Sequence, residues 1–121
     1  MNIVTKLLTY QNQIKILHWQ TTSYSEHKAL DGLFGSLVDN IDEFVETFMG
    51  KYGRVVSQTN FNLTLQNYSS LAPMDLMNQM VAYLSTELPT MLDANKDTDL
   101  LNIRDEILGN VNQTKYLLTL K

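Results

Sequence analysis

Two histidines are all the chain has, and both stand among acids in the set His18, His27, Asp31, Asp42 and Glu46. From His27 to Glu46 the steps are four, eleven and four residues. On a helix that turns about 100° per residue, those four side chains fall within an arc of roughly 100°. Imidazole with carboxylate suits a borderline divalent first-row metal such as Fe(II). A straight helix, however, puts roughly 16 Å between Asp31 and Asp42, at about 1.5 Å per residue. One metal centre cannot reach both ends. The pairs His27/Glu46 and Asp31/Asp42 share a midpoint, between Ser36 and Leu37. Two copies of the helix crossing antiparallel there would set each His27/Asp31 end against a partner's Asp42/Glu46 end. Gly32, Gly35 and Ser36 leave room for the crossing. The spacing predicts two identical metal sites in a homodimer, each built from both chains.

Blander readings compete with this one. Charges on a helix usually only keep a face wet, and His18 alone, beside Trp19 near a helix end, reads first as structural. The full set weighs against that, because it borders an apolar stripe. Carboxylates at a packing edge are costly unless a cation or partner neutralises them. Asp39 and Glu43 lie further round the helix and read as solvated. A di-iron centre inside one bundle would need Glu-x-x-His pairs on two helices. The second half of the chain has no histidine, and its third helix offers only Asp75 and Glu87. Asp99, Asp105 and Glu106 suit the start and surface of the fourth helix. The methionines, Met74, Met77, Met80 and Met91 among them, read as core packing, as do Trp19 and the tyrosines.

Four helices must position these residues. The first spans about Asn2 to Thr21, with Ile3, Leu7, Tyr10, Ile14 and Leu17 on one face. After a polar turn, the second runs from Ser25, its N-cap, to Tyr52, and Gly53 stops it. Its apolar stripe is Leu30, Phe34, Leu37, Ile41, Val45 and Phe48. Residues 54–72 form a long polar connection, expected to cross the molecule with a short helical turn around Leu63 to Tyr68. The third helix opens at Pro73 and runs to about Leu92, kinked by Pro89. The fourth is capped by Asp97 or Thr98 and ends near Leu120. Two long helices, one long crossover and two more helices make an all-α, ferritin-like four-helix bundle over residues 1–121.

The composition fits that class. Apolar residues make up 44 % and charged residues 18 %, as in ordinary globular domains. No cysteine is present, so no disulfide and no thiolate metal site is possible. The opening MNIVTKLLTYQNQIKIL is too polar for a signal peptide core or a membrane span. A cytoplasmic protein with no membrane partner is the expectation.

The quoted residues resemble the Dps-like mini-ferritins of the ferritin superfamily. That family carries His-Trp at the end of its first helix. On its second helix come a His, an acid four residues on, and an Asp-x-x-x-Glu pair eleven residues later. Here these stand as LHW (His18, Trp19), HKALD (His27, Asp31) and DEFVE (Asp42 to Glu46). The resemblance implies that His18 joins the ligands and that Fe(II) is oxidised by hydrogen peroxide or dioxygen. It also implies a hollow twelve-subunit shell that stores ferric iron. HWQTTSYSEHKAL followed by GKYGR is most similar to small ferritin-like proteins of bacteriophage genomes, which would place the protein in the host cytoplasm. Two departures stand out. Eight residues separate the histidines where the family usually has eleven, and the lysine-rich N-terminal arm with which some members bind DNA is missing. The alternative is a non-enzymatic ferritin-like structural or virion-associated assembly protein with a vestigial site.

Charge speaks against a nucleic-acid partner. Non-specific binding comes mainly from Lys and Arg releasing counterions from phosphates, and here nine bases face thirteen acids, a net charge of −4. Assembly would multiply that repulsion. Duplex DNA should therefore show no mobility shift at about 150 mM salt and low micromolar protein; retardation would reveal a basic patch gathered from several chains.

Overall fold

Apolar residues recurring at three- and four-residue steps form four helices in the computed structural model, which describes residues 2–120. They are α1 (Ile3–Gln20), α2 (Tyr24–Tyr52), α3 (Pro73–Ala82) and α4 (Thr98–Leu117). Among the described residues there is no strand. α1 packs along α2, α2 along α4 and α4 along α3, while α3 touches α1 more lightly. The shared core takes Leu7, Ile14 and Leu17 from α1 and Leu30, Leu37 and Phe44 from α2. Met77 and Met80 of α3 and Leu100, Ile107 and Val111 of α4 complete it. Of the expected α2 stripe, Phe34, Val45 and Phe48 lie at the margin of the core, only partly buried.

The first turn is tighter than the sequence suggests. The Asn2 side chain caps α1 by accepting from the Thr5 N–H. Ser23, not Ser25, caps α2, its hydroxyl accepting from the Glu26 N–H. Thr21 causes the shift. Its hydroxyl donates to the Glu26 carboxylate and accepts from the Ser23 N–H, reversing the chain within three residues. At the far end Gly53 closes α2 with φ 88° and ψ 169°, a region essentially open to glycine alone.

The connection after Gly53 does cross the whole molecule. Its end is tied beside the opposite tip of α2, where the Tyr68 hydroxyl donates to Glu26. Glu26 and Tyr52 lie roughly 39 Å apart along the helix. The buried Gln13 amide donates to the Gln66 carbonyl and accepts from the Gln66 N–H, and Gln20 accepts from the Tyr68 N–H. Gln13 thus takes both backbone groups that a helix at this point would use. The helical turn expected around Leu63 to Tyr68 is accordingly not formed, and only a turn at 68–70 appears.

α3 also departs from its expected length. Pro89 has no N–H, and its ring crowds the carbonyl four residues earlier. The helix responds before reaching it. Residues Tyr83–Glu87 widen into a π-turn, closed by the Leu88 N–H on the Tyr83 carbonyl, and Leu88–Met91 tighten into a 3-10 turn. The Leu84 carbonyl instead receives the Arg104 guanidinium from α4 at 2.9 Å. α4 stops at Leu117 rather than Leu120, its last carbonyls drawn into a tight turn by Thr119 and Leu120.

Asp97 occupies the N-cap position of α4, but its side chain does other work. It is fully buried. It accepts from the Asp93 N–H at 2.8 Å and from the Tyr52 hydroxyl at 2.6 Å, and Lys51 stands 3.1 Å away. Lys51 also reaches Asp99 at 2.8 Å. The end of α2 is thereby fastened to the start of α4. These hydrogen bonds, the Asp93 N–H foremost and then the Tyr52 hydroxyl, hold the Asp97 carboxyl down at about 2, against 3.8 ordinarily. A lowered folded-state value stabilises the fold above the unfolded value, and that stabilisation is lost as pH falls through the folded one. Asp97→Asn should therefore lower Tm by a constant amount above about pH 5, and the gap to wild type should close between about pH 4 and pH 2. Thermal melts of both proteins across that range measure it.

Candidate metal centre

His18 ends α1 and His27 opens α2, so the three-residue turn brings them face to face. Their rings stack at 3.9 Å between centroids, 18° from parallel. His18 Nδ1 lies 2.8 Å from the His27 carbonyl oxygen, and His27 Nδ1 lies 3.0 Å from the His18 carbonyl oxygen. A carbonyl can only accept, so each Nδ1 carries the proton. In the neutral rings both Nε2 atoms are then left as free lone pairs, the state a metal ligand needs. His18 is buried and His27 half-buried. Asp31, one turn along α2, places Oδ1 3.9 Å from His18 Nε2. The structural reading of His18 is borne out by these bonds, and its Nε2 stays uncommitted. The side chain fastens the hairpin through one nitrogen and presents the other.

The second cluster lies further along the same face of α2. Asp42 and Glu46 are one turn apart and both exposed. Asp42 raises the Glu46 carboxyl above its ordinary value, first through a hydrogen bond between the two side chains and then through repulsion. A cation shared by the two carboxylates would relieve that repulsion. Within one chain the described residues hold no group of three or more such side chains able to grip a metal ion. The five candidates separate into His18/His27/Asp31 and Asp42/Glu46. The packing edge expected of them holds for the imidazoles, whereas the carboxylates stand in solvent, Asp31 with 56 % of its side chain exposed. Asp39 and Glu43 are exposed, as their positions on the helix imply.

Some neighbours of the site escaped the sequence. Gln20 and Glu26, beside the two histidines, hold the crossover in place. Only pairing across 42 to 48 residues reveals them, and no periodic signal marks it. Trp19, read as packing, is 66 % exposed, and so largely are Tyr24, Tyr52 and Tyr116. Between Gly32 and Gly35 the surface is open: a Cβ at either would meet nothing in its own chain.

Fold and donors together define an all-helical protein with a split set of imidazole and carboxylate donors along one long helix. It belongs to a family of unknown function (DUF5856), whose sequence profile matches residues 18–118. That span includes all five candidate ligands. The chain is also similar to the "Uncharacterized 14.6 kDa protein in mobD-ri intergenic region" of Enterobacteria phage T4. The two are 28 % identical over 115 residues, covering 95 % of this chain and 84 % of the phage protein. No solved structure matches.

Asp42 is the first cause of the raised Glu46 value, so removing its charge should undo it. In Asp42→Asn the Glu46 carboxyl should titrate lower than in wild type, read by the side-chain carbon shift in metal-free protein. An unmoved midpoint would mean that the two groups do not share a proton.

Proposed function

We propose that this protein is a ferritin-like, ferroxidase-type iron protein whose sites are shared between two antiparallel copies of α2. The observation that carries the reading is the histidine pair, whose two Nδ1 donors are committed to backbone carbonyls and whose two Nε2 lone pairs are free. The neighbour order α1–α2–α4–α3 with one long crossover supports the ferritin-like assignment. The carboxylate pair supports the rest, since a cation would relieve the repulsion between Asp42 and Glu46. The ligands from one chain are His18, His27 and Asp31, and those from its mate are Asp42 and Glu46. The donor chemistry fits Fe(II), here a substrate.

The chain's own residues do three things in this mechanism. The imidazole clasp fixes the tautomer of both rings, so that Nε2 is the donor atom in each. The acids of both chains offset the charge of the ion. Glu46, whose repulsion from Asp42 a cation relieves, draws the ion to its end of the site. Two Fe(II) would each give one electron to hydrogen peroxide, which with two protons leaves as two waters, or four would reduce dioxygen with four protons to two waters, and ferric iron is stored if the dimers close into a shell. The setting is the cytoplasm, that of the host if the chain is phage-borne.

Aerobic addition of Fe(II) should produce ferric absorbance. Glu46→Gln keeps the volume but loses the charge, so its rate should fall at least tenfold with the fold intact. His18→Ala and His27→Ala should lose comparable activity, because each ring orients the other. Gly35→Leu meets no obstacle within its own chain, so it should fold as a monomer and lose iron oxidation with the crossing. Wild-type rates in Glu46→Gln would refute the assignment. Absent oxidation from an intact dimer would favour the structural, virion-associated alternative.

A further inference from the structure

We infer that a second copy of this chain seats its Trp19 in the groove between α1 and α2, with its Lys15 against the groove's acidic rim. The inference deepens the shared-site reading and rests on its antiparallel pairing. It starts from two unmatched features of one face. Trp19 is the chain's sole tryptophan and stands 66 % exposed at the end of α1. Leu8 of α1 with Val38, Ile41 and Val45 of α2 wall an apolar groove of about 310 Å³, with Asp39 and Asp42 on its rim. A groove of that volume is larger than an indole.

The ligand symmetry brings the two together. α1 and α2 run antiparallel, level at His18 and His27, so the Trp19 backbone is level with Glu26. A helical side chain leans toward its own N-terminus, which sets the indole, with Lys15 beside it, along the opening turns of α2, about His27 to Leu30. A two-fold axis between Ser36 and Leu37 carries that stretch onto positions 43–46 of the partner, the Val45 end of its groove. Charge agrees with shape. Lys15 holds its Nζ 5.6 Å from the Trp19 ring centroid and 4.5 Å from that of Phe34. The same axis maps Phe34 onto the partner's Asp39. One basic side chain thus meets the acidic rim beside the groove that the indole enters. Aromatic anchors in desolvated pockets commonly dominate an interface, and complementary charges fix its register.

The test uses metal-free wild-type protein with a chelator present, so that it reads the interface and not the iron. Sedimentation gives mass against concentration, and acrylamide quenching gives the accessibility of the single indole. Across the range where mass doubles, quenching of Trp19 should fall several-fold. Trp19→Ala should weaken self-association at least tenfold, about 1.4 kcal/mol. The residue is exposed in the single chain, so the helical circular dichroism should be unchanged. Lys15→Glu and Asp39→Lys should each weaken the dimer, and the double variant should restore it. A dimer whose indole stays as accessible as in the monomer overturns the seat and leaves the shared site standing. Failure of the double variant to recover overturns the Lys15–Asp39 contact. A monomer at every concentration with the chelator overturns this inference, and a monomer that persists when Fe(II) is added without oxygen overturns the shared site as well.

Discussion

The pair of hydrogen bonds between the His18 and His27 rings and each other's carbonyls is the constraint on which the rest of this structure turns. A helix end leaves carbonyls unpaired and a helix start leaves N–H groups unpaired. A hairpin as short as Thr21–Ser23 has few residues with which to satisfy them. The His27 imidazole takes one such carbonyl, that of His18, the Ser23 hydroxyl takes the Glu26 N–H, and the His18 imidazole completes the clasp by donating to the His27 carbonyl. Because that commitment is made at Nδ1, the chemistry at Nε2 comes without further design. The two stacked rings also fix how α1 and α2 are aligned, and with them where Trp19, Lys15 and the groove lie on the common face.

The opposite tip of α2 is held by another means, charge buried with its partners. Asp97 has no exposure, yet its acceptor oxygens are taken by an N–H, a phenol and an ammonium. The value of such a cluster is largely geometric. It fastens the last turn of α2 to the first turn of α4, and the length of α2 between the two tips is what keeps the imidazole and carboxylate clusters apart. Neither cluster can collapse onto the other within one chain. The face between them carries Asp31, Asp39, Asp42 and Glu46, so two such faces meet more comfortably with cations between them than without.

Much of the architecture was legible because helices repeat. The stripes Ile3 to Leu17 and Leu30 to Phe48 mark the faces that α1 and α2 turn to the core, the second only partly buried at Phe34, Val45 and Phe48. Pro73 and Gly53 mark a start and a stop for reasons internal to the residue. What failed depended on distant partners. Asp97 reads as a cap by its place before α4, but its partners Lys51 and Tyr52 lie some 45 residues away. Gln13 and Gln20 look like ordinary helix-surface amides until the crossover is laid over them. Pro89 correctly signals a break in α3, but only the geometry shows the helix widening ahead of it. At the candidate site the ligand types and spacing were plain, whereas the reciprocal clasp follows from a turn three residues long that spacing alone does not dictate. Trp19 was misread because an aromatic beside a helix end usually packs within its own chain.

The crossover has a mechanical meaning for the chain as a whole. From Arg54 to Asn62 its residues are mostly exposed, while from Gln66 to Leu71 it is tied to α1 and α2. The covalent path between the first helix pair and the second therefore runs through a stretch that contributes little to the core, the kind of segment that opens locally at low cost. Severing it would cut the polypeptide without cutting the protein. Two helical hairpins, one bearing every candidate ligand and the other only covering it, would still share one apolar interior, which makes this chain in effect a heterodimer joined by a thread.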